Sequence, residues 1–279
     1  MLSFDDFKNG FNEFSAQPLA TGGQKIVYEA LHPLYGKVVV KILKEKDDRT
    51  SREIQIVRDN DFRAVPKIFE SVDIEYQGSC TEAIVEDFIE GENLREIINS
   101  GKRYNLYEAA DFLHKSLEFL VEISDKRIVH RDIKPENIIM VGGDPMFLDF
   151  GIARMLDASS LTRTGQIGPN TPGYAAPEQF NGLKDKIDGR TDLFSIGVVT
   201  YELVTGKNPF TENAYNAYQI YNNTATITPV SYRIPGDSQH QFMGLLNSMM
   251  SKQIAARPRN ARQALNWLES ARGTFSEVF

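Results

Sequence analysis

Apolar residues follow two kinds of pattern along this chain, and the pattern changes near its middle. The first half carries short β-branched runs, Val38-Val39-Val40 and Ala83-Ile84-Val85, with the length and composition of strands. Gly22-Gly23 and Tyr35-Gly36 mark turns around them. One helix is predicted to interrupt the strands from about Thr50 to Arg58, where Ile54 and Val57 stand three apart on one stripe. Phe4, Phe7, Phe11 and Phe14 recur at helical intervals. That stripe docks either on its own lobe or on a partner. The second half changes to helical spacing, through Ala109, Ala110, Leu113, Leu117, Leu120 and Val121, and again through Leu193, Ile196, Gly197, Thr200 and Leu203. A last helix is predicted from Ala261 to Ala271, with Ala264, Leu265 and Leu268 on one face. A segment from Asp87 to Gly91 crosses between the halves. A strand-rich lobe followed by a helix-rich lobe is an α+β arrangement, and clefts between such lobes commonly bind ligands.

Composition narrows the function classes. The chain has 279 residues, 41% hydrophobic and 25% charged, as an ordinary globular enzyme does. A net charge of -7 argues against a nucleic-acid or anionic-membrane binder. With one cysteine, Cys80, no intramolecular disulfide and no multi-thiolate metal site can form. Cys80 sits in a turn-like stretch and is read as a bystander thiol. His32, His114 and His240 have no second ligand at metal-binding spacing. The acidic start Met1-Leu2-Ser3-Phe4-Asp5-Asp6 lacks a signal-like apolar run, and no stretch reaches the ~18 apolar residues of a membrane helix. A cytoplasmic protein in a reducing compartment is expected. No repeat or low-complexity linker divides the chain, so a single domain over 1–279 is expected.

The chemistry is concentrated in three motifs. His130-Arg131-Asp132-Ile133-Lys134-Pro135-Glu136-Asn137 is followed by Asp149-Phe150-Gly151 and then by Ala176-Pro177-Glu178. In this order they resemble the signature of the eukaryotic-like protein kinase superfamily, and the resemblance runs from about Phe14 to Arg272. It implies a bilobal kinase fold, with a small β-rich N-lobe at about 14–86, a hinge at about 87–91 and a larger helical C-lobe at about 92–272. Phosphoryl transfer depends mostly on positioning and charge neutralisation. The resemblance implies Asp132 as the base for the substrate hydroxyl, and Lys134 as a cation near the transferring phosphate, typical of Ser/Thr kinases. Asn137 and Asp149 offer the hard oxygen ligands that Mg²⁺ wants, with Mn²⁺ as a substitute. Lys41 ends a strand resembling the family's phosphate-aligning strand, and Glu53 is its expected ion-pair partner. Asp87 and Ile89 are assigned to adenine through backbone groups, Glu86 to the gatekeeper position and Asn93 to the ribose. Val27, Val39 and Ile139 line the adenine site. The glycine-rich loop departs most from the family, since only Gly22 is kept in place. Gly23 is an extra glycine, and Lys25 either faces the phosphates or points to solvent.

The resemblance also assigns an activation segment from Asp149 to Glu178. Thr171 matches a threonine that holds Asp132 and Lys134. Asp192 matches an aspartate that braces the catalytic loop, and Glu178 with Arg257 matches a structural ion pair. Arg131, before Asp132, points to phosphorylation within Ser159-Ser160-Leu161-Thr162-Arg163-Thr164, by the kinase itself and with a homodimer as one route. Glu136 and Glu202 fall where basic-directed family members receive a substrate cation. The implied activity is ATP-dependent phosphorylation of Ser/Thr hydroxyls on proteins, of a bacterial type. Two alternatives stay open: a nucleotide-binding pseudokinase scaffold, supported by the glycine loop, and a small-molecule kinase of related fold.

Overall fold

The structure, a computed structural model, describes residues 1–22, 25–44, 54–55, 57–60, 62–149, 172–180 and 187–276. Met1–Glu90 forms one compact unit, and Gly91–Asp149 joins the later described residues in a second. The first unit is a seven-stranded sheet among the described residues. Its strands are β1 (Leu2–Ser3), β2 (Glu13–Phe14), β3 (Ala20–Thr21), β4 (Lys25–His32), β5 (Gly36–Leu43), β6 (Ile68–Tyr76) and β7 (Ser79–Asp87). They lie in the order β1-β6-β7-β5-β4-β2, with β3 paired to β4.

Strand alternation decides which residues this sheet buries. Ile26, Tyr28 and Ala30 of β4 and Val38, Val40 and Ile42 of β5 point to one face and form its core with Ile74, Ala83 and Val85. The N-terminal segment covers that face. Helix α1 (Phe4–Lys8) is capped by Ser3 and stops at Asn9, and Phe11 and Phe14 follow in a turn and in β2. The phenylalanine stripe is therefore not one helix. Its four rings nevertheless meet one another and Tyr28, with Phe4–Phe14 at 5.8 Å and Phe14–Tyr28 at 5.2 Å. They dock on their own unit, as the first alternative held. Cys80 also differs from expectation. The turn is the pair Gln77-Gly78, both at positive φ, and Cys80 is an exposed residue within β7. Of the helix predicted near Thr50–Arg58, residues 54–55 and 57–58 are helical, with Ile54 and Val57 buried.

The second unit carries seven helices among the described residues: α2 (Leu94–Asn99), α3 (Leu106–Asp125), α4 (Pro177–Phe180), α5 (Gly189–Thr205), α6 (Ala217–Thr226), α7 (Gln241–Met249) and α8 (Ala261–Arg272). Asn105 and Glu108 form a capping box that starts α3, whose apolar face is buried. The unit also holds a small sheet that the sequence reading did not foresee, made of β8 (Glu92–Asn93), β9 (Ile138–Val141) and β10 (Asp144–Phe147). The signal for it was Gly142-Gly143, both at positive φ, which turns β9 into β10. Gly91 lets the chain press against β9, because a Cβ there would lie 2.5 Å from Met140 O and 2.6 Å from Ile139 Cγ2.

Candidate active site

In the first unit, register gathers residues that the resemblance assigns to the nucleotide. Val27 opposes Lys41, and Val39 opposes Glu86, so Val27, Val39, Lys41 and Glu86 share the sheet face opposite the core. Lys41 is buried there and its Nζ forms an ion pair with the buried carboxylate of Glu86. The residue assigned to the gatekeeper position is thus an acid in contact with Lys41. Glu53, the partner expected for Lys41, lies outside the described residues, as does Gly23. Gly22 follows β3, and its N–H donates to Lys25 O at 2.9 Å, which closes the loop tip back onto β4. Lys25 is half-buried on the same side of β4 as Val27. At the end of β7, Asp87 N–H donates to Lys67 O. Phe88 is covered by Lys37, whose Nζ lies 3.7 Å from the ring centre and pairs with Glu29 at 3.1 Å. Ile89 is half-buried just beyond.

In the second unit, the catalytic loop is held by its own backbone and by α5. Asp192, buried on α5, accepts from His130 N–H at 2.7 Å and from Arg131 N–H at 2.8 Å. Arg131 stands at φ 68°, a left-handed conformation that costs a non-glycine residue free energy and needs such a clamp. Gln179 Nε2 donates to Arg131 O at 2.8 Å, which ties the segment after Thr171 to the same loop. Sequence reasoning did not single out Gln179, whose role depends on a partner 48 residues away.

The candidate catalytic groups converge on Asp132. Its Oδ2 accepts from Asn137 Nδ2 at 2.8 Å and pairs with Lys134 Nζ at 2.9 Å. Asn137 Nδ2 also donates to Asp132 O, so the amide nitrogen is committed and Oδ1 is the end suited to a cation. Asp149 follows β10 at φ 61°, and Leu148 N–H donates to Asn137 O at 2.8 Å, which couples the two metal-ligand candidates through the chain. One amide oxygen and one carboxylate fit Mg²⁺, which takes few protein ligands and completes its shell with water and phosphate oxygens. Among the described residues no group of three or more His, Cys, Asp or Glu converges to hold a metal by itself. His130 is fully buried against Phe119 and Phe147, and burial pushes its imidazole down to about 4.

Two further candidates are already engaged. Asn93 caps α2 by accepting from Arg95 N–H at 3.0 Å, and its Nδ2 donates to Glu136 O at 2.9 Å. A ribose hydroxyl would share that amide. Ile139 is half-buried in β9, opposite Asn93. Glu178 and Arg257 form the expected structural pair, buried, with two bonds of 2.7 and 2.9 Å. Thr171 and the stretch Ser159 to Thr164 lie outside the described residues. Glu136 and Glu202, assigned to a substrate cation, are occupied instead by Arg95 of the chain itself, at 2.8 and 2.9 Å. The sequence reading did not foresee this pairing. The reason is topological, since α2 places Arg95 beside carboxylates 41 and 107 residues away.

Comparison with known proteins bears on this geometry. A family model described as a protein kinase domain matches residues 15–267. The chain is similar to the serine/threonine-protein kinase pkn2 of Myxococcus xanthus, with 32% identity over 93% of this chain and 32% of the relative. It is similar to the probable serine/threonine-protein kinase PknB of Bifidobacterium longum, with 33% identity over 79% of this chain and 34% of that protein. The serine/threonine-protein kinase PknA of Mycobacterium tuberculosis is 33% identical over 69% of this chain and 46% of its own length. The chain thus spans about a third to under half of the length of these relatives.

Proposed function

Because this chain belongs to the protein kinase family, we propose that it transfers the γ-phosphoryl group of ATP to Ser and Thr hydroxyls of protein substrates. The observation that carries this reading is the setting of Asp132. Its carboxylate is fixed by Asn137 and Lys134, and its backbone neighbours are clamped by Asp192. A carboxylate so held is oriented to accept a hydroxyl proton as the oxygen attacks. Lys134, in contact with that carboxylate, offers positive charge to the transferring group. Lys41 aligns the nucleotide phosphates, with Val27 and Val39 beside it over the adenine, Ile139 beneath it and the backbone of Asp87 and Ile89 at its edge. Asn137 Oδ1 and Asp149 would hold Mg²⁺, which when bound neutralises the charge of the phosphate oxygens. Lys41, Asn137 and Asp149 thus serve positioning and charge, and Asp132 serves the proton. The relatives' names and the lysine at position 134 support Ser/Thr as the acceptor class. Autophosphorylation between Ser159 and Thr164, read through Arg131, belongs to the same proposal.

The test is transfer of label from Mg-ATP to a generic protein substrate by the chain and by Asp132→Asn, with thermal melting of both. The variant is expected to lose at least about a hundredfold in turnover at unchanged Tm. Turnover near that of the unaltered chain would overturn the assignment.

A further inference from the structure

Arg95 makes three side-chain hydrogen bonds. Nε donates to Glu136 Oε1 at 2.8 Å, Nη1 donates to Glu202 Oε1 at 2.9 Å, and Nη2 donates to the hydroxyl of Tyr174. That hydroxyl in turn donates to the second oxygen of Glu202. One guanidinium therefore answers two carboxylates. Glu202 is buried on α5, whereas Glu136 is exposed on its outer side.

The cluster stands beside the proposed reacting centre. Glu136 directly precedes Asn137, whose amide holds Asp132. Tyr174 belongs to the segment that Gln179 ties to Arg131, and its carbonyl accepts from Ser195 on α5. A substrate that brings a hydroxyl to Asp132 comes close to Glu136, four residues on in the same loop. Two carboxylates so close together form a receptor for a guanidinium or an ammonium, because paired charge-assisted bonds are the strong ones. This chain fills the receptor from within. Resting on the phosphotransfer reading, we propose that Arg95 is a specificity-determining residue: by occupying the Glu136–Glu202 site it removes any requirement for arginine or lysine near the acceptor hydroxyl. A cation in the substrate would meet the guanidinium of Arg95 across Glu136, and gains nothing there.

The experiment uses peptides with one Ser acceptor, each carrying Arg or Ala at a single flanking position, and reads the ratio of kcat/KM for the Arg and Ala members. The unaltered chain is expected to give ratios within about threefold of one at every position. Arg95→Ala is expected to raise the ratio at one position by about tenfold or more, since it exposes two carboxylates to the substrate. Arg95→Lys, which keeps a cation in the site, is expected to stay near one. Adding Glu136→Gln to Arg95→Ala should return the ratio toward one. A purely structural role for Arg95 would lower all peptides alike and leave the ratios unmoved, and that result overturns the proposal. A strong arginine preference in the unaltered chain, lost in Glu136→Gln, overturns it too, and this arm holds even where Arg95→Ala fails to fold. Transfer to no peptide at all would instead overturn the phosphotransfer reading, and this inference with it.

Discussion

At the scale of the residue, the pair Lys41–Glu86 joins two buried charges on one face of the sheet. A buried carboxylate in contact with Lys41, the lysine proposed to align the phosphates, would withdraw part of the positive charge that a nucleotide meets. Glu86→Gln keeps the shape of the side chain and removes its charge. The expected outcome is a nucleotide Kd lower by about threefold to tenfold, measured by titration without metal and with Mg²⁺. A Kd that rises would mean that Glu86 positions Lys41 rather than competing for it. Glu86 could be placed at the gatekeeper from its resemblance alone, but the contact could not. It arises from the β5–β7 register, which sets Glu86 diagonal to Lys41 on one face. Asn93 teaches the same lesson, since its chemistry is written in the sequence and its partners are chosen by the helix it caps and by a neighbouring loop.

At the scale of the element, α5 does more than pack. It sends Asp192 to the backbone of His130 and Arg131, Ser195 to the carbonyl of Tyr174, and Glu202 to Arg95. Periodic apolar residues announced this helix, yet nearly every side of it is buried, because the second unit packs around it. Asp192→Asn tests the clamp. An amide can no longer accept from both N–H groups, and one donor would face another. The expected cost is about 1–3 kcal/mol of stability, together with a fall in turnover of about tenfold as Arg131 loses its hold. Thermal melting and steady-state kinetics measure the two effects, and an unchanged Tm with full turnover would remove Asp192 from the brace. Elements with strong periodicity were legible in the sequence, including α3, α5 and α8. The short strands β8 to β10 were not, because two to four residues give period-2 alternation too little length to register. The phenylalanine stripe misled for a related reason: helical spacing persists through a turn when several rings converge on one core.

At the scale of the whole molecule, stability should depend on pH through His130. Its folded pKa of about 4 lies below the ordinary 6.5, so between these values the unfolded chain binds more protons than the folded one. Stability therefore falls as pH drops from 6.5 toward 4, by about 3 kcal/mol if this group acts alone. Denaturant midpoints across that window, compared with those of His130→Gln, measure the contribution. The variant should show a shallower slope, and equal slopes would assign the dependence to other groups. By itself the sequence determined the order of motifs, the α+β class and the family resemblance that assigns Asp132, Asn137, Asp149 and Lys41 to the site, because these rest on residue type and order along the chain. Only the tertiary structure decided that Glu86 meets Lys41, that the phenylalanines cover their own sheet, and that Arg95 fills the acidic site. Each of these joins residues far apart in the chain, and a linear pattern carries no record of which distant charge or ring the fold will bring within reach.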